Sequence, residues 1–265
     1  VNVTGGWHEA PVPQISYQLP AGGFAYLADS IKRVVNVPVI ACNRINNIET
    51  MEHILENGMA DFVGTARGFL ADPHFAEKVL TGVPYNRCQG CNKCIEAVLK
   101  GKPVVCAYNP EVGHEAEEKT HRRVISAKVV LVVGAGPAGL EAAKKSAERG
   151  YKTILCTEEQ CLGGMLNAAA LPPHKQDLMK FIENKKYELE NLGVDIRYGT
   201  KVDGEFISEL KPYFVVEAFG GKAFVPNIKG IDKENVYMAL DVLKGGADMI
   251  AKLKKGSTVI IGGGT

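Results

Sequence analysis

The chain has 265 residues, 46% of them hydrophobic and 23% charged, which is typical of a globular protein with a sizeable core. Its 31 basic and 30 acidic side chains leave a formal net charge of +1, which excludes a general attraction for nucleic acid or for a membrane surface. Because it has neither an apolar run of the roughly 18 residues that a membrane helix needs nor a leading segment that resembles a signal peptide, we expect a cytoplasmic protein.

The first 86 residues alternate between strand and helix patterns. Residues 37–42 form a short apolar run that suits a buried parallel strand. The pair Asp72-Pro73 predicts the start of a helix, with the aspartate as its cap, and Gly82 predicts its end. Further strands are predicted at 1–4 and 61–65, and a further helix at 48–56. This order predicts a parallel sheet or an α/β barrel.

The rest of the chain divides into two parts of different character. Residues 87–126 hold four cysteines and a polar, charged stretch, and we interpret them as a metal-held segment followed by a linker. Residues 127–265 return to an α/β pattern, with glycine-rich turns after the first and the last strand. Strands are predicted at 128–133, 152–156, 194–198, 214–218 and 258–261, and helices at 139–149 and 175–191.

The cysteine pattern is the most specific signal in the sequence. Cys88, Cys91 and Cys94 follow one another at two-residue spacings, and Cys106 comes after eleven further residues. Clustered cysteines in a chain of this length indicate a metal in a reducing compartment rather than a disulfide framework. Three closely spaced thiolates can wrap one face of a compact cluster, so the pattern favours a four-cysteine iron–sulfur site. Structural zinc is the alternative, although it more often uses two separate pairs of ligands.

A glycine-rich turn follows the apolar strand predicted at 128–133. Gly134, Gly136 and Gly139, with Ala138 before the last of them, open the predicted helix. In this context the glycines let the backbone approach a pyrophosphate, and the amides and dipole of the helix N-terminus favour its charge. We therefore predict a dinucleotide site; the alternative is an ordinary tight strand–helix turn.

Two later positions are expected to complete the dinucleotide site. A carboxylate that binds the ribose is expected about 20 residues beyond the glycines, where strand alignment gives Thr157 followed by Glu158. Either Glu158 serves from one residue later, or the adenosine is held less tightly. Gly164 and Met165, in a double-glycine turn, offer a second close approach of backbone to ligand, and residues 218–220 are expected to close over the nucleotide.

Two arginines follow consecutive strands in the first part of the chain. Arg44 comes after the strand at 37–42, and Arg67 comes after the strand at 61–65. Loops after the last strands of an α/β barrel form a phosphate site, and guanidinium groups there suit a flavin phosphate. Two surface salt-bridge arginines are the alternative. His8 would face the same mouth and could assist proton transfer, although a lone histidine is more often structural.

Taken in order, these motifs closely resemble the iron–sulfur flavoenzymes that include bacterial 2,4-dienoyl-CoA reductase, 2-enoate reductase and trimethylamine dehydrogenase. The Gly-Trp-His-Glu-Ala segment at 6–10 is similar to the active-site loop of the reductases. The segments 43–46 and 66–73 are similar to their flavin-phosphate loops, which implies that Ala66 and the two arginines bind FMN. The cysteine and glycine motifs follow in the family's order, over essentially the whole chain.

The resemblance implies a division into three parts. Residues 1–86 would be the C-terminal strands of an FMN-binding (β/α)8 barrel, residues 87–126 a 4Fe-4S cluster segment and linker, and residues 127–265 a Rossmann-like FAD-binding domain with the start of an NAD(P)H-binding domain. We accordingly expect an internal piece of a longer enzyme, inactive by itself. In the family, electrons pass from NAD(P)H to FAD, the cluster, FMN and an activated C=C bond, and His8 would support the acid that protonates the α-carbon.

The implied activity is NAD(P)H-dependent reduction of a small unsaturated acid or acyl-CoA. Some positions depart from the family's pattern: Pro11 replaces an arginine of the dienoyl-CoA reductase loop, Thr157 replaces an acidic residue, and Met165 replaces a glutamine. The gap between Cys91 and Cys94 is that of the amine dehydrogenases. An amine dehydrogenase and a non-catalytic electron-transfer module are therefore the alternatives. The sequence leaves the oligomeric state open, a homo-oligomer included.

Overall fold

The computed structural model of the chain describes residues 1–6, 9–12, 19–118, 124, 127–253 and 256–262. The chain forms two compact units. The first contains the described residues up to 124 together with Lys180–Glu188, and the second contains the other described residues. Each unit has its own parallel sheet, which confirms the predicted α/β class. None of the described helices is long and apolar enough to cross a membrane.

Three short parallel strands, neighbours in chain order, organise the first unit. Asn2 pairs with Ile40, and Ile40 pairs in turn with Phe62. Because the strands share one direction, the loops that follow them emerge at the same edge of the sheet. The elements of this unit are β1 (Asn2–Val3), α1 (Ala25–Lys32), β2 (Ile40–Ala41), α2 (Ile48–Glu56), β3 (Phe62–Val63), α3 (Arg67–Ala71), α4 (Phe75–Thr81), α5 (Lys93–Leu99) and α6 (Glu115–Glu118).

The second unit contains a four-stranded parallel sheet whose first strand, β4, lies in its interior. The elements are β4 (Val129–Val133), α7 (Pro137–Glu148), β5 (Lys152–Cys156), α8 (Met165–Ala169), α9 (Leu178–Asn191), β6 (Asp195–Arg197), α10 (Gly204–Leu210), β7 (Phe214–Glu217), α11 (Ala239–Lys244) and α12 (Gly246–Leu253); the middle of α9 is counted with the first unit. The strand order is β6-β5-β4-β7. The chain therefore reverses its direction of winding between β4 and β7, and ligands of open α/β sheets bind at such a point.

Local sequence explains where the best-defined elements begin and end. The side chain of Asn47 accepts a hydrogen bond from the Thr50 amide at 2.8 Å, which caps α2 and fixes its predicted start. Gly58, just beyond the helix, has a positive φ of 65° that glycine adopts without strain. In the second unit β4 and β5 pair over five residues, and Leu131 in the middle of β4 is completely buried.

Two predicted elements are wrong. The apolar run at 258–261 forms no strand in the described residues 256–262, and the side chains of Val259 and Ile260 are exposed. An apolar run becomes a strand only where a neighbouring strand supplies hydrogen bonds, and none of the described strands pairs with it. The predicted helix start at Asp72 is also wrong, because α4 begins at Phe75 and Asp72 instead ends α3 in an extended conformation.

Asp72 leaves the helix because its carboxylate is used elsewhere. This buried side chain accepts hydrogen bonds from the amides of His74 at 3.1 Å and Asn86 at 3.0 Å, and pairs with Lys78 at 2.8 Å. Asn86 in turn accepts a hydrogen bond at 2.9 Å from Asn184, which is fully buried in α9. One carboxylate thus fixes the end of α3, the side of α4 and the start of the cysteine segment.

We expect Asp72→Ala to destabilise the protein by about 2–4 kcal/mol, because it leaves the buried Asn86 amide without its acceptor and removes the nearer of the two carboxylates that pair with Lys78. The loss in free energy of unfolding is measured from the midpoint and slope of the urea unfolding transition. Asp29→Ala is the matched control, since Asp29 pairs with the exposed guanidinium of Arg33 and such pairs contribute about 1 kcal/mol or less. Equal effects of the two substitutions would contradict this role of Asp72.

Candidate functional site

The loops that follow β2 and β3 line one cavity in the first unit. Its volume is about 500 Å³, and Cys42, Arg44, Asn46, Ala66, Arg67 and Cys88 are among its lining residues. Arg44, Ala66 and Arg67 are the three residues predicted to bind FMN. The structure therefore places them together, beside one of the predicted cluster cysteines. Guanidinium groups and backbone amides at one cavity are the groups that bind a phosphate in proteins.

The loop after β2 has an unusual backbone. Asn43 and Arg44 both have positive φ, at 78° and 50°, which side chains with a Cβ rarely adopt. The Arg44 carbonyl accepts a hydrogen bond from the Gly22 amide at 3.0 Å, which holds the loop in place. Strain of this kind is retained where the surrounding structure fixes it, and it is concentrated at binding and catalytic sites.

Hydrogen bonds join the cysteine segment to the cavity. Arg67 donates through Nη1 to Oδ1 of Asn92 at 2.8 Å, and Asn46 donates through Nδ2 to the carbonyl of Cys88. Sequence reasoning missed both asparagines as site residues. The only signal for them is position, because Asn92 lies inside the cysteine motif and Asn46 closes the predicted phosphate loop.

The four clustered cysteines are free thiols, none of them deeply buried. Burial raises the pKa of the Cys88 thiol; the Gly90 amide and Arg67 act against this, and Cys94 and Cys91 add to it. The pKa of Cys106 is likewise raised by burial, with smaller contributions from Cys88 and Cys91 in the same direction. The charges of these side chains therefore affect one another.

No group of three or more His, Cys, Asp or Glu side chains within the described residues is placed to hold a metal ion. The assignment of Cys88, Cys91, Cys94 and Cys106 to an iron–sulfur cluster therefore stays a prediction, as does the zinc alternative. His8 lies outside the described residues, so its predicted place at the mouth of the site also stays a prediction.

In the second unit the glycine-rich turn joins β4 to α7. A Cβ on Gly139 would lie 1.8 Å from the carbonyl oxygen of Gly134, and a Cβ on Gly134 would lie 2.4 Å from the carbonyl of Ala218. These two glycines are required by close packing of backbone on backbone. Gly136 is different, because a Cβ there would enter open space. The absence of a side chain at this position leaves room in front of the amides that start α7, where an anion is favoured.

The double-glycine turn lies against the first glycine turn. The Gly163 amide donates to the Ala135 carbonyl at 2.8 Å, and a Cβ on Gly164 would come within 3.1 Å of the Gly136 Cα. Met165 follows as the first residue of α8, with its side chain exposed. The structure thus brings the two glycine turns together at the switch point of the sheet. Each of these turns was predicted to bring its backbone close to the dinucleotide.

Thr157 lies at the predicted position directly after β5, but its hydroxyl is already engaged. Its Oγ1 accepts a hydrogen bond from the Glu159 amide at 3.2 Å, and the residue is buried. Glu158 is exposed. The side chain of Glu158 is therefore the more accessible of the two, while the hydroxyl of Thr157 stabilises the loop after β5. Ala138 is exposed in the first turn of α7.

Two family models match the chain. That of the pyridine nucleotide-disulphide oxidoreductases matches residues 128–265, and that of the NADH:flavin oxidoreductase / NADH oxidase family matches residues 13–86. The first match covers more than half of the chain.

Individual relatives are similar over nearly the whole chain. It is 42% identical to a metal reductase of Desulforamulus reducens over 100% of its length and 32% identical to a cinnamate reductase of Clostridium sporogenes over 88% of its length. It covers 40% and 34% of those proteins. Among solved structures it is similar to a 2-naphthoyl-CoA reductase in complex with 2-naphthoyl-CoA, with a TM-score of 0.85 and 30% identity over 92% of this chain and 38% of that one.

Substitutions at Gly139 and Gly136 can distinguish a glycine required for packing from one that leaves space for a ligand. We expect Gly139→Ala to destabilise the second unit, because its Cβ meets a backbone oxygen that cannot move away. Gly136→Ala should leave stability within about 0.5 kcal/mol of the parent, since its Cβ enters open space. Thermal unfolding of both variants checks this, and comparable losses of Tm would show that the space at Gly136 is not open.

Proposed function

The chain belongs to the 2,4-dienoyl-CoA reductase-like family of flavoenzymes, and we propose that the protein containing it uses NAD(P)H to reduce the C=C bond of a 2-enoate or enoyl-CoA. The reaction balances as one hydride from NAD(P)H and one proton from a protein acid, added across the double bond to leave NAD(P)+ and a saturated product. The observation that carries the proposal is the cavity at which the predicted flavin-phosphate loops meet the cysteine segment.

We assign a role in this reaction to each predicted group. Arg44, Ala66 and Arg67 would hold the FMN phosphate at the edge of the parallel sheet. Gly134, Gly136, Ala138 and Gly139 would bind the FAD pyrophosphate at the start of α7, with Gly164 and Met165 opposite and Glu158 near the ribose, beside Thr157. Cys88, Cys91, Cys94 and Cys106 would hold the 4Fe-4S cluster, and His8 would assist proton delivery. Bound FAD, cluster and FMN would together supply the transfer of electrons from NAD(P)H to the substrate.

The open space at Gly136 supports the binding of a dinucleotide at this turn. A small residue is needed there only if something other than protein fills the gap, because the neighbouring backbone would accept a Cβ. The strained loop at Arg44 supports the binding of a flavin phosphate, because Arg44 and Arg67 line the same cavity. The domain boundaries at 86 and 126 are part of the same proposal.

Metal-ion reduction is a second candidate, favoured by the 42% identity to the metal reductase. Both reactions would draw electrons from NAD(P)H and differ only in the final acceptor. The predicted amine dehydrogenase would instead take electrons from its substrate, and an electron-transfer module would need a protein acceptor.

We expect the purified protein that contains this chain to oxidise NADH or NADPH anaerobically when cinnamate, crotonate or crotonyl-CoA is added. One saturated product should form for each nucleotide oxidised, because the two electrons end in the C=C bond. Product analysis by NMR checks the stoichiometry. Parallel assays with ferric citrate and with trimethylamine test the alternatives, and nucleotide oxidation with ferric citrate alone would overturn the enoate proposal.

We also expect Cys91→Ser to lose most of its iron and acid-labile sulfide, because a hydroxyl replaces one thiolate of the proposed cluster. Cys161→Ser is the matched control, since Cys161 is an equally exposed free cysteine outside the cluster motif. Metal and sulfide analysis of the parent and both variants decides the matter. One zinc per chain and no sulfide in the parent would establish the structural-zinc alternative instead.

A further inference from the structure

Asn92 precedes a helix without capping it. Asparagine just before a helix normally accepts a hydrogen bond from the helix's free amides. Here Asn92 has a left-handed backbone with φ of 60°, its side chain makes no cap to α5, and its Oδ1 accepts the hydrogen bond from Arg67. The side chain is therefore used for the arginine at the expense of the helix.

Arg67 belongs to the cavity that lies beside the cysteine segment. Arg44 and Cys88 line the same cavity. An arginine side chain has several rotatable bonds, so a fixed acceptor is needed to keep its charge in one place. Asn92 supplies that acceptor from within the cysteine motif.

A second asparagine ties the same two loops together from the other side. Asn46 closes the loop after β2 and donates to the carbonyl of Cys88. Two hydrogen bonds therefore connect the phosphate loops to the cysteine loop. One joins Arg67 to Asn92, and the other joins Asn46 to the carbonyl of Cys88. A displacement of one loop would disturb the other.

We propose that Asn92 is a positioning residue that holds the guanidinium of Arg67 where it can bind the flavin phosphate. This inference rests on the proposed function, because it takes FMN as the occupant of the cavity. It assigns to the cysteine motif a second task besides metal ligation, namely to set the affinity of the neighbouring flavin site.

One measurable property follows. Release of Arg67 should weaken binding of FMN but not of riboflavin, because only FMN carries the phosphate.

The test uses Asn92→Gly in the protein that contains this chain. Glycine accepts the positive φ without strain, so the substitution removes the amide and keeps the backbone. We expect the FMN affinity of deflavinated protein to fall roughly tenfold, as for loss of a hydrogen bond to a charged group, with riboflavin affinity unchanged. Asn57→Gly, at an exposed asparagine after α2, is the matched control.

Asn92→Asp provides an independent measurement. Aspartate tolerates the same backbone and would retain Arg67 as an ion pair, but its charge would compete with the phosphate. We expect FMN affinity to fall and riboflavin affinity to stay unchanged. An unchanged ratio of FMN to riboflavin affinity in both variants would overturn the role of Asn92. A parent protein without FMN or without iron and sulfide would instead overturn the proposed function beneath it.

Discussion

Parallel pairing of short strands is the constraint on which both candidate sites depend. A parallel sheet sends every loop that follows a strand to the same edge, so residues far apart in the chain meet there. Arg44 and Arg67 reach one cavity for this reason, and the glycine turn after β4 meets the backbone after β7 for the same reason. Short strands suffice because the helices between them bury the apolar side of the sheet.

The cysteine segment is held in a different way. None of its described residues belongs to the apolar cluster of the first unit, and polar side chains of the segment and of its neighbours join it to the elements around it. Asn86 donates to the Tyr108 carbonyl at 3.2 Å, Asn109 donates to the Leu70 carbonyl at 3.0 Å, and Asp72 accepts from the Asn86 amide. A segment fixed by individual hydrogen bonds can leave a thiol accessible, and Cys91 is exposed. Burial raises the pKa of Cys88 and Cys106, which disfavours the thiolates that bind metal.

How much the sequence predicts depends on the range of the interaction involved. The helix at 48–56 and the strand–turn–helix at Gly134–Gly139 follow from neighbouring residues, and both were predicted correctly. Asp72 was predicted as a helix cap from the same kind of local pattern, but its three partners include an amide 14 residues away, and that contact decides its conformation. Asn92 was missed for the same reason, since its partner is 25 residues away. The run at 258–261 has the composition of a strand, but no described strand pairs with it.

The distribution of backbone strain supports the placement of the site in the first unit. Five residues other than glycine have a positive φ within the described part of the chain, and three of them, Asn43, Arg44 and Asn92, belong to the loops around one cavity. Each such residue costs of order 1 kcal/mol that folding alone would not require. None of the three contributes to the apolar core, so packing does not explain why they are retained. The ligand proposed for this cavity would account for the strain, because the strain would preorganise groups that otherwise have to be ordered on binding.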